Sequence, residues 1–239
     1  MVQDFGERAR FVSENYGDSE LARRFGVTRY PAIFVDDVLV ATPDDFGFYG
    51  GGRTAGGRYA PLKSAASHDR FRADLARMIE QILAGRKDAA RAQAAPARAS
   101  GPTKLPSFSI TDLAGRPLTR EDLAGRVVLV EFWATWCPPC RGTLRWLGEL
   151  QRRHGERVAV VAIALESEEA AVRRLVDGLK LPDVIWTMGT PELARAFGDV
   201  GAVPQLTVFD RDARTAATFF GAPPDLHAKA EATIAALLK

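Results

Sequence analysis

The sequence predicts an α/β fold, because two kinds of segment alternate after residue 126. Residues 127–132 and 158–165 are apolar runs rich in valine, which is typical of strands buried within a parallel sheet. Residues 141–153 and 168–179 repeat leucine and valine at helical spacing. Strands that alternate with helices in this way are typical of the α/β class.

Length and composition limit the function classes. The chain has 239 residues, enough for one large or two small domains, with 46% hydrophobic and 26% charged residues. A net charge of +2 gives no electrostatic reason to expect nucleic acid or an anionic membrane as a partner. No apolar run approaches the ~20 residues of a membrane span, and the first residues do not resemble a signal peptide.

In residues 1–84 the sequence pattern predicts a few short strands and helices. We expect a short strand at 10–13, and then a short helix capped by Asp18 or Ser19 and ended by Gly26. Two strands follow at 32–35 and 38–40 around an Asp-Asp turn. A longer helix from Ser67 is predicted because five side chains share one face: Phe71, Leu75, Met78, Ile79 and Ile82.

Residues 85–104 predict a linker, since they are rich in alanine and basic charge and contain two prolines. We therefore expect a first module at 1–84 and a second at 105–239.

The second module predicts a strand at 108–110, a turn at 112–116 and a return at 118–123. Ser167 is expected to cap the helix that follows the second apolar run, and Thr190 to cap a short helix that begins at Pro191. A strand pair at 206–209 and 215–220 and a closing helix from 226 to 237 complete it.

An internal repeat links the two modules. Residues 21–26 (LARRFG) match residues 193–198 (LARAFG), and each is followed by a proline, Pro31 or Pro204, and then by an apolar strand. The first module therefore corresponds to the second half of the second module.

The only two cysteines lie where the first apolar run passes into a helix, within Trp-Ala-Thr-Trp-Cys-Pro-Pro-Cys at 133–140. Cys137 precedes the first helical turn, where free N–H groups and the helix dipole lower a thiol pKa. Cys140, three residues on, can close a disulfide with it. Pro139 is tolerated because N–H groups of a first turn have no helical partner.

This run, with its preceding Val-Glu-Phe, resembles the active site of the thioredoxin superfamily and most of all its TlpA/ResA-type thiol–disulfide oxidoreductases. The resemblance implies a thioredoxin-like fold with an N-terminal β-hairpin extension, here preceded by an incomplete, non-catalytic thioredoxin-like module. It implies Cys137 as the attacking thiol and Cys140 as the resolving thiol. Relatives of this type are usually exported or membrane-tethered, so we expect an extracytoplasmic protein whose natural chain begins upstream of Met1 with an export signal; without a visible signal, a cytoplasmic location stays open.

The resemblance also assigns roles around the cysteines. Glu131 matches an acid that exchanges protons with the buried cysteine, and burial should raise its pKa; the alternative is a sheet residue that reaches water. Pro204 matches the cis-proline of the family, and Val203 before it faces the attacking cysteine. Trp136 and Pro138 are expected to contact substrate, whereas Trp133 is expected in the core.

Two alternatives stay open. The cysteines can be half of a zinc site, but zinc needs about four ligands and the three histidines, His68, His154 and His227, show no paired spacing. We expect no metal and no cofactor. The chain can also be a redox switch or scaffold whose first module binds a partner, rather than an enzyme that acts on protein disulfides and is recharged by an upstream thiol reductant.

One position departs from the family pattern. TlpA/ResA-type proteins often carry a glutamate three residues after the second cysteine, and this chain has Thr143 there. In the family that acid tunes the cysteines for reducing cytochrome c precursors, so this particular substrate is in doubt.

Overall fold

A computed structural model describes residues 2–14, 19–27, 32–46, 58–59, 64–94, 102–198, 200 and 203–239. The chain forms two compact units, residues 1–99 and 100–239. Pro31, the proline of the first repeat, lies outside the described residues.

The described part of the first unit contains a 3₁₀ segment at Val2–Arg8 and six regular elements: α1 (Glu20–Arg24), β1 (Ile33–Val35), β2 (Val38–Ala41), α2 (Pro43–Phe46), α3 (Ala65–Leu83) and α4 (Lys87–Ala94). The Ser19 hydroxyl accepts a 2.7 Å hydrogen bond from the Ala22 N–H, so the predicted cap of α1 is confirmed. The strand predicted at 10–13 is wrong. Phe11 and Val12 are exposed and no strand pairs with them among the described residues.

The core of the first unit forms where α3 packs with an antiparallel hairpin. β1 pairs with β2 around the Asp36–Asp37 turn, and Val38 and Val40 are buried. From α3, the predicted face supplies Leu75, Met78, Ile79 and Ile82 to the same core. The helical periodicity in the sequence therefore identified this face correctly.

The segment expected as a linker contains a helix. In α4, Ala90 and Ala94 are buried against the core of the first unit. Lys87 and Arg91 form ion pairs with Asp37 at 2.7 and 3.2 Å. Alanine methyl groups fit a close helix contact, so the low apolar content of this segment did not prevent packing.

In its described residues the second unit has two 3₁₀ segments, at Glu121–Leu123 and Gly155–Arg157, and eleven strands and α-helices: β3 (Ser109–Thr111), β4 (Pro117–Thr119), β5 (Val127–Trp133), α5 (Pro138–His154), β6 (Val158–Ala164), α6 (Glu169–Leu179), β7 (Ile185–Met188), α7 (Pro191–Ala196), β8 (Gln205–Phe209), β9 (Thr215–Phe220) and α8 (Leu226–Leu237). Five strands form a mixed sheet in the order β7-β6-β5-β8-β9. β5, β6 and β7 are parallel, whereas β8 runs antiparallel to β5 and β9 to β8. The prediction missed β7.

Helices cover both faces of this sheet. Right-handed crossovers place α5 and α6 on the same face. The Trp146 indole of α5 donates a 3.0 Å hydrogen bond to Glu231 of α8, so α8 lies beside α5. On the other face, Phe197 after α7 makes an edge contact with Phe132 of β5, with ring centroids 5.2 Å apart. No helix in the described ranges is long and apolar enough to cross a bilayer.

The β3–β4 hairpin lies against β7. The Leu113 N–H donates a 2.8 Å hydrogen bond to the Trp186 carbonyl, and the Thr187 hydroxyl donates to the Thr111 carbonyl at 3.0 Å. Asp112 fixes the turn, because its carboxylate accepts hydrogen bonds from the Ala114 and Arg116 N–H groups. The predicted hairpin extension is thus present and completes one edge of the sheet.

The repeat in the sequence has a structural counterpart. The order α1-β1-β2-α3 in the first unit corresponds to α7-β8-β9-α8 in the second, with α2 as an additional turn of helix. Both segments place an antiparallel hairpin between two helices.

Candidate active site

The central strand β5 carries the site at its carboxyl end. All seven residues of β5 are buried, because β6 and β8 flank its two edges and helices cover both faces of the sheet. The Trp133 carbonyl accepts a 2.8 Å hydrogen bond from the Leu165 N–H, and the Cys137 N–H donates to the Ala134 carbonyl at 3.1 Å. The first bond joins the end of β5 to the residue after β6, and the second closes the turn between β5 and α5.

Cys137 and Cys140 form a disulfide with their Cα atoms 5.4 Å apart. Cys137 is the N-cap residue of α5, and Pro138 and Pro139 occupy its first two positions. Cys137 is 3% exposed and Cys140 is fully buried. Proline has no N–H, so the first N–H group that the helix itself presents at this end belongs to Cys140. The helix dipole still favours negative charge at Cys137.

The loop before the disulfide is held by the loop after β6. The Thr135 N–H donates a 2.9 Å hydrogen bond to the Ser167 hydroxyl, which itself donates to the Leu165 carbonyl. The Trp136 indole N–H donates to the Glu166 carbonyl at 2.9 Å, while 53% of Trp136 stays exposed. Ser167 was expected to cap α6; the N-cap is Glu168 instead, because the Ser167 hydroxyl is engaged by Thr135.

Glu131 is a fully buried carboxyl group in the centre of the sheet. Its neighbours across the ladder are Ala162 and Leu206, and neither oxygen has a hydrogen-bond partner within the described structure. Burial therefore raises the pKa of the Glu131 carboxyl well above its usual 4.5. The alternative that Glu131 reaches water at the strand end is wrong, and the side chain can hold a proton at a pH where exposed carboxyls are ionised.

Trp133 is fully buried, as expected. It shares the face of Glu131 by strand alternation and makes an edge contact with Trp186, with centroids 5.8 Å apart.

The Val203–Pro204 peptide bond is cis, as the resemblance implied. Gln205, the next residue, pairs with Phe132 of β5. Because β8 runs antiparallel to β5, its first residues lie at the end of the sheet where β5 leads to the disulfide. Val203 is 7% exposed, and the Pro204 carbonyl accepts a 2.7 Å hydrogen bond from the Gly221 N–H.

Thr143, the departure from the family pattern, is buried one turn after Cys140. Its hydroxyl donates a 3.3 Å hydrogen bond to the Pro139 carbonyl. A carboxylate at this position would be desolvated, whereas the threonine is satisfied by its own helix.

The topology brings both cysteines and the Val203–Pro204 pair to one end of the sheet, and Glu131 lies two residues before the last residue of β5, the strand that leads to this end. In the part of the chain that the structure describes, no group of three histidine, cysteine or acidic side chains is arranged to hold a metal. Sequence reasoning missed Thr135 and gave Ser167 only a capping role, since a hydrogen bond between two loops 32 residues apart leaves no local pattern.

Comparisons with known proteins cover the second unit. Residues 101–236 match the Redoxin family. A thiol-disulfide oxidoreductase ResA from Bacillus thuringiensis is 32% identical over 121 residues, which are 49% of this chain and 68% of that protein. Thioredoxin-like protein YneN from Bacillus subtilis is 39% identical over 77 residues, 31% of this chain and 45% of YneN.

A solved structure of a protein with a related name is also similar to this chain. The thiol:disulfide interchange protein of the thioredoxin family from Chlorobium tepidum TLS superimposes with a TM-score of 0.51 at 28% identity. The match covers 59% of this chain and 99% of that protein.

Proposed function

This chain belongs to the Redoxin family and is a ResA-like thiol–disulfide oxidoreductase of the thioredoxin superfamily, and we propose that its Cys-Pro-Pro-Cys pair reduces or exchanges disulfides in protein substrates. The observation that carries the proposal is the Cys137–Cys140 disulfide at the N-terminus of α5, at the end of the central strand that buries Glu131.

The reaction begins with the reduced pair. The Cys137 thiolate attacks one sulfur of the substrate disulfide, which forms a mixed disulfide and releases the other substrate sulfur as a thiolate that takes up a proton. Cys140, after losing its proton, attacks the Cys137 sulfur and releases the second substrate thiol. Two electrons pass to the substrate, and the Cys137–Cys140 disulfide forms again. A thiol reductant returns the two electrons.

Glu131 is proposed as the group that exchanges a proton with Cys140. Support comes from its burial on the active-site strand and from the raised pKa of its carboxyl. A buried carboxyl whose pKa is raised holds its proton more tightly than an exposed one, so it can both accept and return a proton during one cycle.

Substrate is proposed to lie over Trp136 and Pro138 on one side and Val203–Pro204 on the other. Trp136 supports this because a half-exposed indole beside a reactive centre offers apolar contact area. Pro138 is exposed at the first position of α5.

We propose that only the second unit is catalytic. Residues 105–239 would be catalytic because they hold both cysteines, Glu131 and Pro204, whereas the first unit has no cysteine and would be a non-catalytic, thioredoxin-like half-module. By analogy with ResA-type proteins, we place the protein outside the cytoplasm, where disulfides persist.

Turnover of insulin disulfides with dithiothreitol tests the proposal. The enzyme should cycle many times, and its turnover should disappear in Cys137→Ser. Reduction of a single equivalent of disulfide would instead favour a redox switch or scaffold. The direction follows from the reduction potential of the pair, since values near about −270 mV indicate a reductant and near about −120 mV an oxidant.

A further inference from the structure

A groove of about 420 Å³ lies between α5 and α6 beside the active-site loop. Thr135, two residues before Cys137, lines one part of it. Arg141 and Arg145 line it from α5, and Arg174 lines it from α6. The groove is thus within reach of a chain segment that presents its disulfide to Cys137.

The three arginines give the groove a strong positive charge. All three are exposed, and none forms an ion pair or hydrogen bond with a residue that the structure describes. No acidic residue lines the groove. By contrast, Arg173 of α6 is neutralised by Glu169 at 2.7 Å. Three guanidinium groups without a carboxylate form a surface that is complementary to an anionic partner.

Apolar side chains also line the groove. Leu175 and Leu179 of α6 are half-buried there, so the groove offers apolar contact area beside its three arginines. A small inorganic anion would use only the charge. A polypeptide with carboxylates beside apolar side chains would use both the charge and the apolar contact area.

We infer that this groove is a specificity site for acidic, apolar segments next to the disulfide of a protein substrate. The inference rests on the proposed function, because it concerns which disulfides Cys137 meets. Arg145 and Arg174 would select the segment by charge, and Leu175 and Leu179 would hold its apolar side chains. The preference for acidic segments should weaken as the salt concentration increases, since exposed charges are screened.

Two synthetic peptide disulfides test this. One carries glutamate and leucine beside its cysteines, and the other has glutamine in place of each glutamate. Pre-reduced protein is mixed with each peptide over a range of concentrations, and release of peptide thiol is followed. The neutral bis(2-hydroxyethyl) disulfide serves as a probe of the cysteines alone.

The variants are Arg145→Glu and Arg174→Glu, and Arg211→Glu is the matched control. Arg211 is exposed in the β8–β9 turn, at the opposite end of the sheet from the disulfide. Arg141 is left unchanged because it follows Cys140 directly, so a substitution there would alter the reactivity of the thiols. Arg145→Gln and Arg174→Gln remove charge without reversing it, and circular dichroism checks that each variant folds.

The acidic peptide should react faster than the neutral one with wild-type protein, by about tenfold at low salt. Each groove variant should lose most of this preference through a higher half-saturating concentration and an unchanged limiting rate. Arg211→Glu should keep it. Equal rates for both peptides in wild type, or a preference retained in both groove variants, would overturn the inference. Failure to reduce bis(2-hydroxyethyl) disulfide would instead overturn the proposed function.

Discussion

Thr135 and Ser167 connect the two loops at the active-site end of the sheet: the Thr135 N–H and hydroxyl both donate to the Ser167 hydroxyl, at 2.9 and 3.1 Å. The Ser167 hydroxyl in turn donates a hydrogen bond to the Leu165 carbonyl. The loop before Cys137 is therefore positioned by a side chain of the loop that follows β6.

Ser167→Ala should lower the free energy of unfolding by about 1–2 kcal/mol, because the Thr135 N–H loses its acceptor. Urea denaturation of the oxidised protein measures this. Ser167→Thr keeps the hydroxyl on a half-buried position and should recover most of the loss. Equal stability of Ser167→Ala and wild type would show that water replaces the hydroxyl without cost.

Cys137 should be the thiol that reacts first. Cys137 lies at the N-cap of α5, where the helix dipole favours a thiolate, whereas Cys140 is fully buried. Brief alkylation of the reduced protein at about pH 6, followed by peptide mapping, should find the adduct on Cys137. Cys140→Ser should trap mixed disulfides with substrate and Cys137→Ser should not. Predominant labelling of Cys140 would reverse the assignment.

Glu131→Gln should change how stability depends on pH. The carboxyl has a raised pKa in the folded protein, so between about pH 4.5 and that pKa the folded state holds a proton that the unfolded state has lost. Wild-type stability should therefore fall relative to Glu131→Gln as pH rises, by up to about 1.4 kcal/mol per pH unit. Urea denaturation of both proteins from acid to neutral pH gives this difference, and a flat difference would contradict a buried, protonated carboxyl.

The same substitution should slow catalysis. Glu131→Gln keeps the shape of the side chain and removes the proton acceptor proposed for Cys140, so insulin turnover should fall at least about tenfold. Its pH profile between about pH 6 and 9 should also change. Glu149→Gln, on the exposed side of α5, is the control and should behave as wild type. A wild-type profile in Glu131→Gln would reject the role.

Residues 100–239 alone should keep the disulfide reductase activity. The fragment contains the whole five-stranded sheet, both cysteines and the β3–β4 hairpin. Circular dichroism establishes that it folds, and insulin turnover is then compared with the full chain. A folded fragment without turnover would mean that the first unit completes the site.

The sequence was sufficient for the parts of the fold that depend on local pattern. The apolar runs that became β5 and β6, the helical face of α3 and the strand–Cys-Pro-Pro-Cys–helix junction were all predicted. β7 was missed because four residues containing Trp186 and Thr187 become a strand only by pairing with β6. α4 was assigned to a linker because Ala90 and Ala94 become apolar contacts only when the first unit provides a surface for them.

In the candidate site, too, residues within a local motif were predicted and residues brought together only by the fold were not. Cys137, Cys140 and Glu131 are close in sequence, so one motif identified them together. Ser167 and Arg174 reach the active-site end only through the β6–α6 crossover, and no pattern around either residue indicates this. The sequence could have indicated a basic helix face, because Arg141 and Arg145 are four residues apart on a predicted helix. It gave no indication that Arg174 lines the same groove.

The hydrogen bonds between the β3–β4 hairpin and β7 have a consequence for association between molecules. β7 is the terminal strand on its side of the sheet, and an unprotected terminal strand is a template for a strand from another copy. The Leu113 N–H already occupies the Trp186 carbonyl, and the hairpin turn covers the adjoining stretch. The β3–β4 hairpin therefore also shields the β7 edge of the sheet from pairing with a strand of another molecule.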